Sequence, residues 1–377
     1  VSAITALRLI DYRSYSGLDA TFRPGAVVLF GANGAGKTNL LEALSLLSPG
    51  RGLRRAAINT LARVEGGATA RAWGVTATVE TSSQPDPIRL SVGQVPEQPR
   101  RRAIRLDGRA ATGADMARLI SLMWLTPAQD RLFTGPASDR RKFIDRFALA
   151  VEPAHGSHAS RFEKARTERN RLLGEGITDR AWYAAIEADL AKYGTAVAHA
   201  RVQTVQALQA QISARETVFP QSLIGLDGTL ENAFSDGADA ETVETSYRAQ
   251  LAEQRSIALR AGRTLIGPHR TELHVTHAAK AMPAGLCSTG EQKALLIGLV
   301  LAHARAQMQS ETPRRPILLL DEVAAHLDAE RRAALAEELL DLELQVFLTG
   351  TDAALFSDFG ARAQHLRVAD GTLHETD

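Results

Sequence analysis

Gly31-Ala32-Asn33-Gly34-Ala35-Gly36-Lys37-Thr38 fits the pattern G-x-x-x-x-G-K-[ST] without deviation. The glycines permit backbone angles and close approaches that a β-carbon would block, so successive N–H groups can converge on phosphate oxygens. Lys37 is placed to reach the β- and γ-phosphates of ATP, the Thr38 hydroxyl to ligate Mg2+, and Asn33, Ala35 and Asn39 complete the stretch assigned to the nucleotide. A chance glycine turn would share the letters but not the flanks. Here an apolar run, AVVLF, leads in, and a helix with Leu40, Leu41, Leu44 and Leu47 on one face leads out before Ser48-Pro49-Gly50 stops it.

A second stretch, Ile317-Leu318-Leu319-Leu320-Asp321-Glu322, is apolar until its last two residues. That is the pattern of a central parallel strand buried on both faces, and ligands of open α/β sheets gather at the carboxyl ends of such strands. Asp321 is the expected metal holder and Glu322 the expected general base that polarises an attacking water. A third stretch, Ser288-Thr289-Gly290-Glu291, spells the S/T-x-x-E capping box, which explains a helix start by itself. A helix start also offers unpaired N–H groups and positive potential to a phosphate.

These residues need elements to hold them. From 5 to 30 short strand-like runs alternate with turns, and from about 72 to 110 the pattern returns, ending in the hairpin pair Asp107-Gly108. After about 125 the segments SDRRKFIDRFALA, SRFEKARTERNRLL, RAWYAAIEADLAKYG and AVAHARVQTVQALQAQI carry helical periodicity, with Val202, Val205, Leu208 and Ile212 as one stripe. LIGLDGTLENAFSDGADAE, rich in Gly and Asp, reads as loops. Strand signals resume from about 262. The expected plan is therefore an α/β head in two parts, 1–125 and 262–377, interrupted by a mainly helical lobe over 126–261.

Composition narrows the class. With 377 residues, 44 basic and 43 acidic, the net charge is only +1, so affinity for a polyanion must come from local clusters. One cysteine, Cys287, excludes an internal disulfide framework and a cysteine zinc site. Arg8, Asp11 and Arg13 interrupt the first residues where a signal peptide needs an apolar core, and the run ALLIGLVLA is far short of a membrane span. A cytoplasmic protein without membrane partners is expected.

The order P-loop, S-x-G-E, LLLDE, with helical sequence between the first two, resembles the ATP-binding-cassette class of ATPase heads. Within that class ITALRLIDYRSYSGLDATFRPG, GKTNLLEALSLLSPGRGLRRA, WLTPAQDRLFTGPASDRRKFIDR, GPHRTEL and STGEQKALLIGLVLAHA together resemble the bacterial RecF family. The resemblance implies a mixed-sheet P-loop head and an ATP-dependent homodimer acting at junctions of single- and double-stranded DNA. It also implies RecR and RecO as partners in loading RecA. By the same resemblance Ser288, Gly290 and Glu291 form the signature that meets the γ-phosphate held by a second subunit. Gln129 falls at the Q-loop, which senses metal and nucleotide, and Asp328 at the D-loop. Thr349 stands where transporters carry a switch histidine and would offer its hydroxyl to the γ-phosphate.

Three basic clusters are candidates for DNA: Arg51, Arg54 and Arg55; Arg100, Arg101, Arg102, Arg105 and Arg109; and Arg140, Arg141 and Lys142. Charge runs are more often solvated faces, and no aromatic ladder suggests stacking on single strands, so duplex backbone contact is expected. A chromosome-maintenance or break-repair head would need sustained heptads and a C-x-x-C hook, which are missing here. A transporter head would need a membrane-coupling surface. A DNA-binding scaffold with a weakly active nucleotide site fits the same motifs.

Overall fold

A computed structural model of the chain describes residues 2–82, 84–215, 217–309 and 315–376. It divides into two compact units, residues 1–131, 217–219 and 296–377 forming the first and 132–216 with 220–295 the second.

The first unit holds the P-loop between two six-stranded sheets. In one, the order is Leu122–Leu125, Ile317–Leu320, Val346–Gly350, Ala26–Phe30, Ala363–Ala369, Thr372–Thr376; the first five are parallel and the last antiparallel. Parallel strands covered on both faces are apolar throughout, and Ile317 to Leu320 are all buried, as the run ILLL requires. The other sheet is an antiparallel meander in which alternation is clean: Leu7 and Leu9 are buried while Arg8 between them is exposed. Asp107 and Gly108 both take positive φ in its hairpin turn, as their pairing in sequence suggests. The helix Lys37–Ser45 joins both layers in one core, where Leu40 and Leu44 pack with Leu7, Val75, Val27 and Phe347.

The second unit is built on the helices Ala137–Val151, His155–Gly174, Arg180–Ser213 and Ala240–Glu253, with a small antiparallel sheet of Ser222–Asp227, Glu272–His277 and Met282–Pro283. Two helical segments of the sequence run together here. Arg180–Ser213 passes through Gly194 unbroken, and a β-carbon there would stand 2.9 Å from Tyr247 Cε1 and 3.3 Å from Phe162 Cε2. The glycine serves close packing rather than a helix stop.

One expectation is corrected. The Gly- and Asp-rich stretch near 223–241 holds the strand Ser222–Asp227, which pairs with Glu272–His277, and the helix Thr229–Ser235, while Asp239 caps the next helix by accepting from the Thr242 amide at 2.7 Å. The two compact units divide at 131 and 295, where the sequence reading placed 125 and 261. Residues 262–295 go with the helices because side chains of the helices hold them. Arg201 donates to the Pro268 carbonyl at 2.6 Å, Arg169 to Thr264 Oγ1 at 3.2 Å, and Asn170 accepts from the Thr264 amide at 2.7 Å.

Candidate nucleotide site

The P-loop's glycines are required by their neighbours. Gly31 has φ 150°, and a β-carbon there would stand 2.4 Å from the Val368 carbonyl oxygen; Gly36 has φ 107°, and one there would stand 2.7 Å from the Tyr15 hydroxyl. That hydroxyl donates to the Gly36 carbonyl at 3.1 Å. Lys37 is buried and folds back over its own loop, donating to the carbonyls of Gly31 at 2.7 Å and Ala32 at 2.8 Å. Burial lowers its pKa, while the carboxylates of Glu322 and Asp321 pull the other way.

The Walker B carboxylate arrives from the strand two places along the sheet. Thr38 Oγ1 donates to Asp321 Oδ1 at 3.0 Å, and Thr349 Oγ1 donates to the same oxygen at 2.8 Å. Burial raises the Asp321 pKa, and the Thr349 and Thr38 hydroxyls oppose the rise. Glu322 follows with φ 53°, in the left-handed region, its amide donating to Thr349 Oγ1 at 2.9 Å. A hydroxyl and a carboxylate at hydrogen-bond distance beside a phosphate-binding loop fit an Mg2+ that keeps several waters and shares its shell with phosphates. Among the described residues no group of three or more His, Cys, Asp or Glu could hold a metal ion.

The hydroxyl of Thr349 is engaged within the site: its side chain is buried and it donates to Asp321. Gln129 sits four residues past the strand Leu122–Leu125, whose neighbour ends at Asp321; its Oε1 accepts from the Thr126 amide at 3.0 Å, turning the side chain back on its own 3-10 turn. Asp328 caps the helix Ala329–Asp341, accepting from the Arg331 amide at 2.8 Å. Asn39 is held on both sides: its amide donates to Ser14 Oγ at 2.9 Å and its carbonyl accepts from Arg54 at 2.6 Å.

In the second unit the capping box forms as its letters require. Ser288 N–H and Oγ donate to Glu291 Oε2 at 3.0 and 2.9 Å, and the Glu291 amide donates back to Ser288 Oγ at 3.4 Å. Lys280 pairs with Glu291 and, together with Ser288, lowers its pKa to about 2. Ser288 and Thr289 are exposed at the start of the helix Thr289–Met308, where the first amides lack intrahelical acceptors.

Arg51, Arg54, Arg55, Arg100, Arg101 and Arg105 are exposed, and Arg101 also donates to Gln98 Oε1 at 3.3 Å. Arg102, one strand position from Arg101, points inward and donates to the Leu46 and Ser48 carbonyls at 3.0 and 3.3 Å, closing the end of the P-loop helix; burial lowers its pKa. Arg54 binds Asn39 and the fully buried Glu42. Arg140 is tied to Glu272 and to the Gly135 carbonyl at 2.7 Å, and Arg141 to the Thr271 carbonyl at 2.8 Å. Strand alternation turns Arg102 inward, and internal acceptors hold Arg102, Arg140 and Arg141.

Sequence reasoning missed Tyr15, Arg13 and Glu42. Arg13 grips Glu42 with two bonds of 2.8 Å, anchoring the helix behind Lys37. The available signal was an acid, Glu42, set inside the leucine-rich run LLEALSLL.

Comparison with known proteins places this geometry. The model of the RecF/RecN/SMC N terminal domain matches residues 3–372. A DNA replication and repair protein RecF from Mesorhizobium japonicum is 50% identical over 384 residues, covering 99% of this chain and 98% of the relative. The chain belongs to the RecF family. A solved structure of the recombination mediator protein RecF-ATPrS in the RecFOR pathway superposes at TM-score 0.86 over 100% of this chain and 98% of that one, with 20% identity. An Smc head bound to the C-winged helix domain of ScpA, at TM-score 0.58 and 16% identity over 99% and 96% of the two chains, shares the head fold. The RecF fold is thus an ABC-type ATPase head, as the motif order implies.

Proposed function

We propose that this chain is an ATP-dependent DNA-binding protein of recombinational repair and replication-fork maintenance. ATP closes a homodimer on DNA at single/double-strand junctions, hydrolysis is slow and stimulated by DNA, and the closed form works with RecR and RecO in loading RecA. The observation that carries the reading is the 3.0 Å bond between Thr38 and Asp321 beside Lys37, which brings together the phosphate and metal groups of two distant motifs. Membership of the RecF family and likeness to a structure described as RecF-ATPrS support it.

On this reading the backbone amides of residues 31–38 cradle the phosphates, and Lys37 exchanges the Gly31 and Ala32 carbonyls for phosphate oxygens. Thr38 and Asp321 would hold Mg2+, which supplies charge neutralisation at the phosphates. Thr38 can keep donating its proton to Asp321 while an oxygen lone pair faces the ion. Glu322 accepts the proton of the attacking water, and Gln129 reports on the metal after turning from Thr126. Ser288, with the amides of Thr289 and Gly290, meets the nucleotide of the second copy, once Ser288 redirects its proton from Glu291. Asp328 lies at the same seam. DNA is held through the phosphate contacts of Arg51, Arg100, Arg101 and Arg105, which are exposed.

ATPase activity measured against protein concentration, with single-stranded, duplex and gapped DNA in parallel, tests this. Specific activity should rise with concentration and be highest with a junction. Activity that is flat with concentration and indifferent to DNA would sink the dimer switch. Mixing Lys37→Ala with Ser288→Arg protein should restore one working site per mixed dimer, and no recovery at any ratio would count against shared sites.

A further inference from the structure

Thr349 is the last polar side chain of the strand Val346–Gly350, which lies between the strand Ile317–Leu320, leading into Asp321, and the strand feeding the P-loop. Leu348 registers with Leu320 and Thr349 with Leu29, so Thr349 stands beside the chain as it leaves the sheet at Asp321 and Glu322. Its hydroxyl makes two bonds of different sense, donating to Asp321 Oδ1 at 2.8 Å and accepting from the Glu322 amide at 2.9 Å. The side chain is only 1% exposed, so water cannot readily replace either bond.

Each bond fixes something that hydrolysis needs. Asp321 Oδ1 receives both threonine hydroxyls, Thr38 from the P-loop side and Thr349 from the sheet side, which orients the carboxylate while neither bond uses Oδ2. Glu322 takes φ 53° and ψ 28°, a conformation that residues with a β-carbon keep only where surroundings impose it. The Thr349 oxygen is a partner that imposes it, because the amide it binds belongs to Glu322 itself. Beyond Thr349 the chain is closely covered: a β-carbon at Gly350 would stand 2.5 Å from Phe356 Cε2.

We infer that Thr349 is a positioning residue for ATP hydrolysis, a buried hydroxyl that fixes the metal-side carboxylate of Asp321 and the backbone of Glu322 together without touching the nucleotide. This deepens the proposed function and rests on Glu322 acting as base. It differs from the role of a γ-phosphate contact, which would have Thr349 distinguish ATP from ADP. Here the residue leaves nucleotide affinity alone and governs the rate at which bound ATP is cleaved.

Thr349→Val removes both bonds at nearly constant volume. It should lower kcat about 10²-fold, the size of effect expected when a reacting group is misplaced by about 1 Å. Affinities for ATP and ADP should each stay within about threefold of wild type, and Thr349→Ser should recover most of the rate. Amide hydrogen exchange at Glu322 should speed up in Thr349→Val and not in Thr349→Ser. Retained ADP binding shows that the variant is folded. Loss of ATP affinity with ADP affinity kept would overturn the inference in favour of a phosphate contact, as would an unchanged kcat. If the wild-type protein hydrolyses no ATP under any condition, the ATPase reading falls separately, and unchanged Glu322 exchange in Thr349→Val then overturns the clamp as well.

Discussion

At the scale of single residues, the nucleotide site separates binding from turnover. Lys37 has two backbone carbonyls as its resting partners, so Lys37→Ala leaves the loop's glycines in place while removing the cation proposed to reach the phosphates. ATP affinity should fall by at least about tenfold, one bond to a charged group being worth about 1.5–3 kcal/mol, and equilibrium titration with ATP checks it. Glu322→Gln keeps the Thr349 bond, which uses the backbone amide, so ATP should still bind and the closed dimer should persist, seen as a slower-decaying dimer in sedimentation. Ser288→Arg replaces a capping hydroxyl by a long cation and should leave ATP binding intact while blocking dimer formation. The Thr38–Asp321 contact and the Ser288–Glu291 capping box were legible in sequence, since G-x-x-x-x-G-K-T, LLLDE and S-T-G-E each announce themselves by spacing. Where the Thr349 proton points was not legible, because that depends on the register of two strands distant in sequence. The inward turn of Arg102 also needed strand alternation together with the position of the P-loop helix end.

At the scale of elements, helix Arg180–Ser213 shows how packing overrides propensity. Glycine in a helix interior costs about 1 kcal/mol relative to alanine, yet Gly194→Ala should destabilise the protein, since overpacking a filled core costs about 1–3 kcal/mol. The added methyl would press on Tyr247 and Phe162, and thermal unfolding would show a lower midpoint. A higher midpoint would mean that both rings yield without cost. Periodicity revealed the helices because their buried stripes are local; the strand Ser222–Asp227 stayed hidden because its partner, Glu272–His277, lies in a distant part of the chain.

At the scale of the whole molecule, pH and salt probe the two units differently. In the second unit, burial lowers the His269 pKa to about 4, while its Nε2 lies 3.2 Å from the Thr264 carbonyl. The unfolded chain binds that proton below about pH 6.5, so stability should fall as pH drops from there toward 4, by at most about 1.4 kcal/mol per unit for this one group. His269→Gln should flatten that part of the denaturation profile. On the first unit, replacing Arg101 and Arg105 together by glutamine should reduce the log–log salt slope of duplex binding by about 0.9 for each phosphate that is no longer neutralised. An unchanged slope would move the DNA elsewhere. The domain plan was legible as α/β, helical, α/β, whereas the fate of 262–295 was not, because it follows from side chains such as Arg201 and Arg169 reaching across from the helices. The sheet of the first unit has one more consequence, for the order in which the protein is made. The strand Ala26–Phe30 emerges early, but both strands that flank it, Val346–Gly350 and Ala363–Ala369, are translated near the other end of the chain. At about 5–20 residues per second that delay lasts tens of seconds. A nascent or prematurely terminated chain therefore carries every letter of the P-loop, and the antiparallel sheet on one side of it, without the two parallel strands that flank Ala26–Phe30.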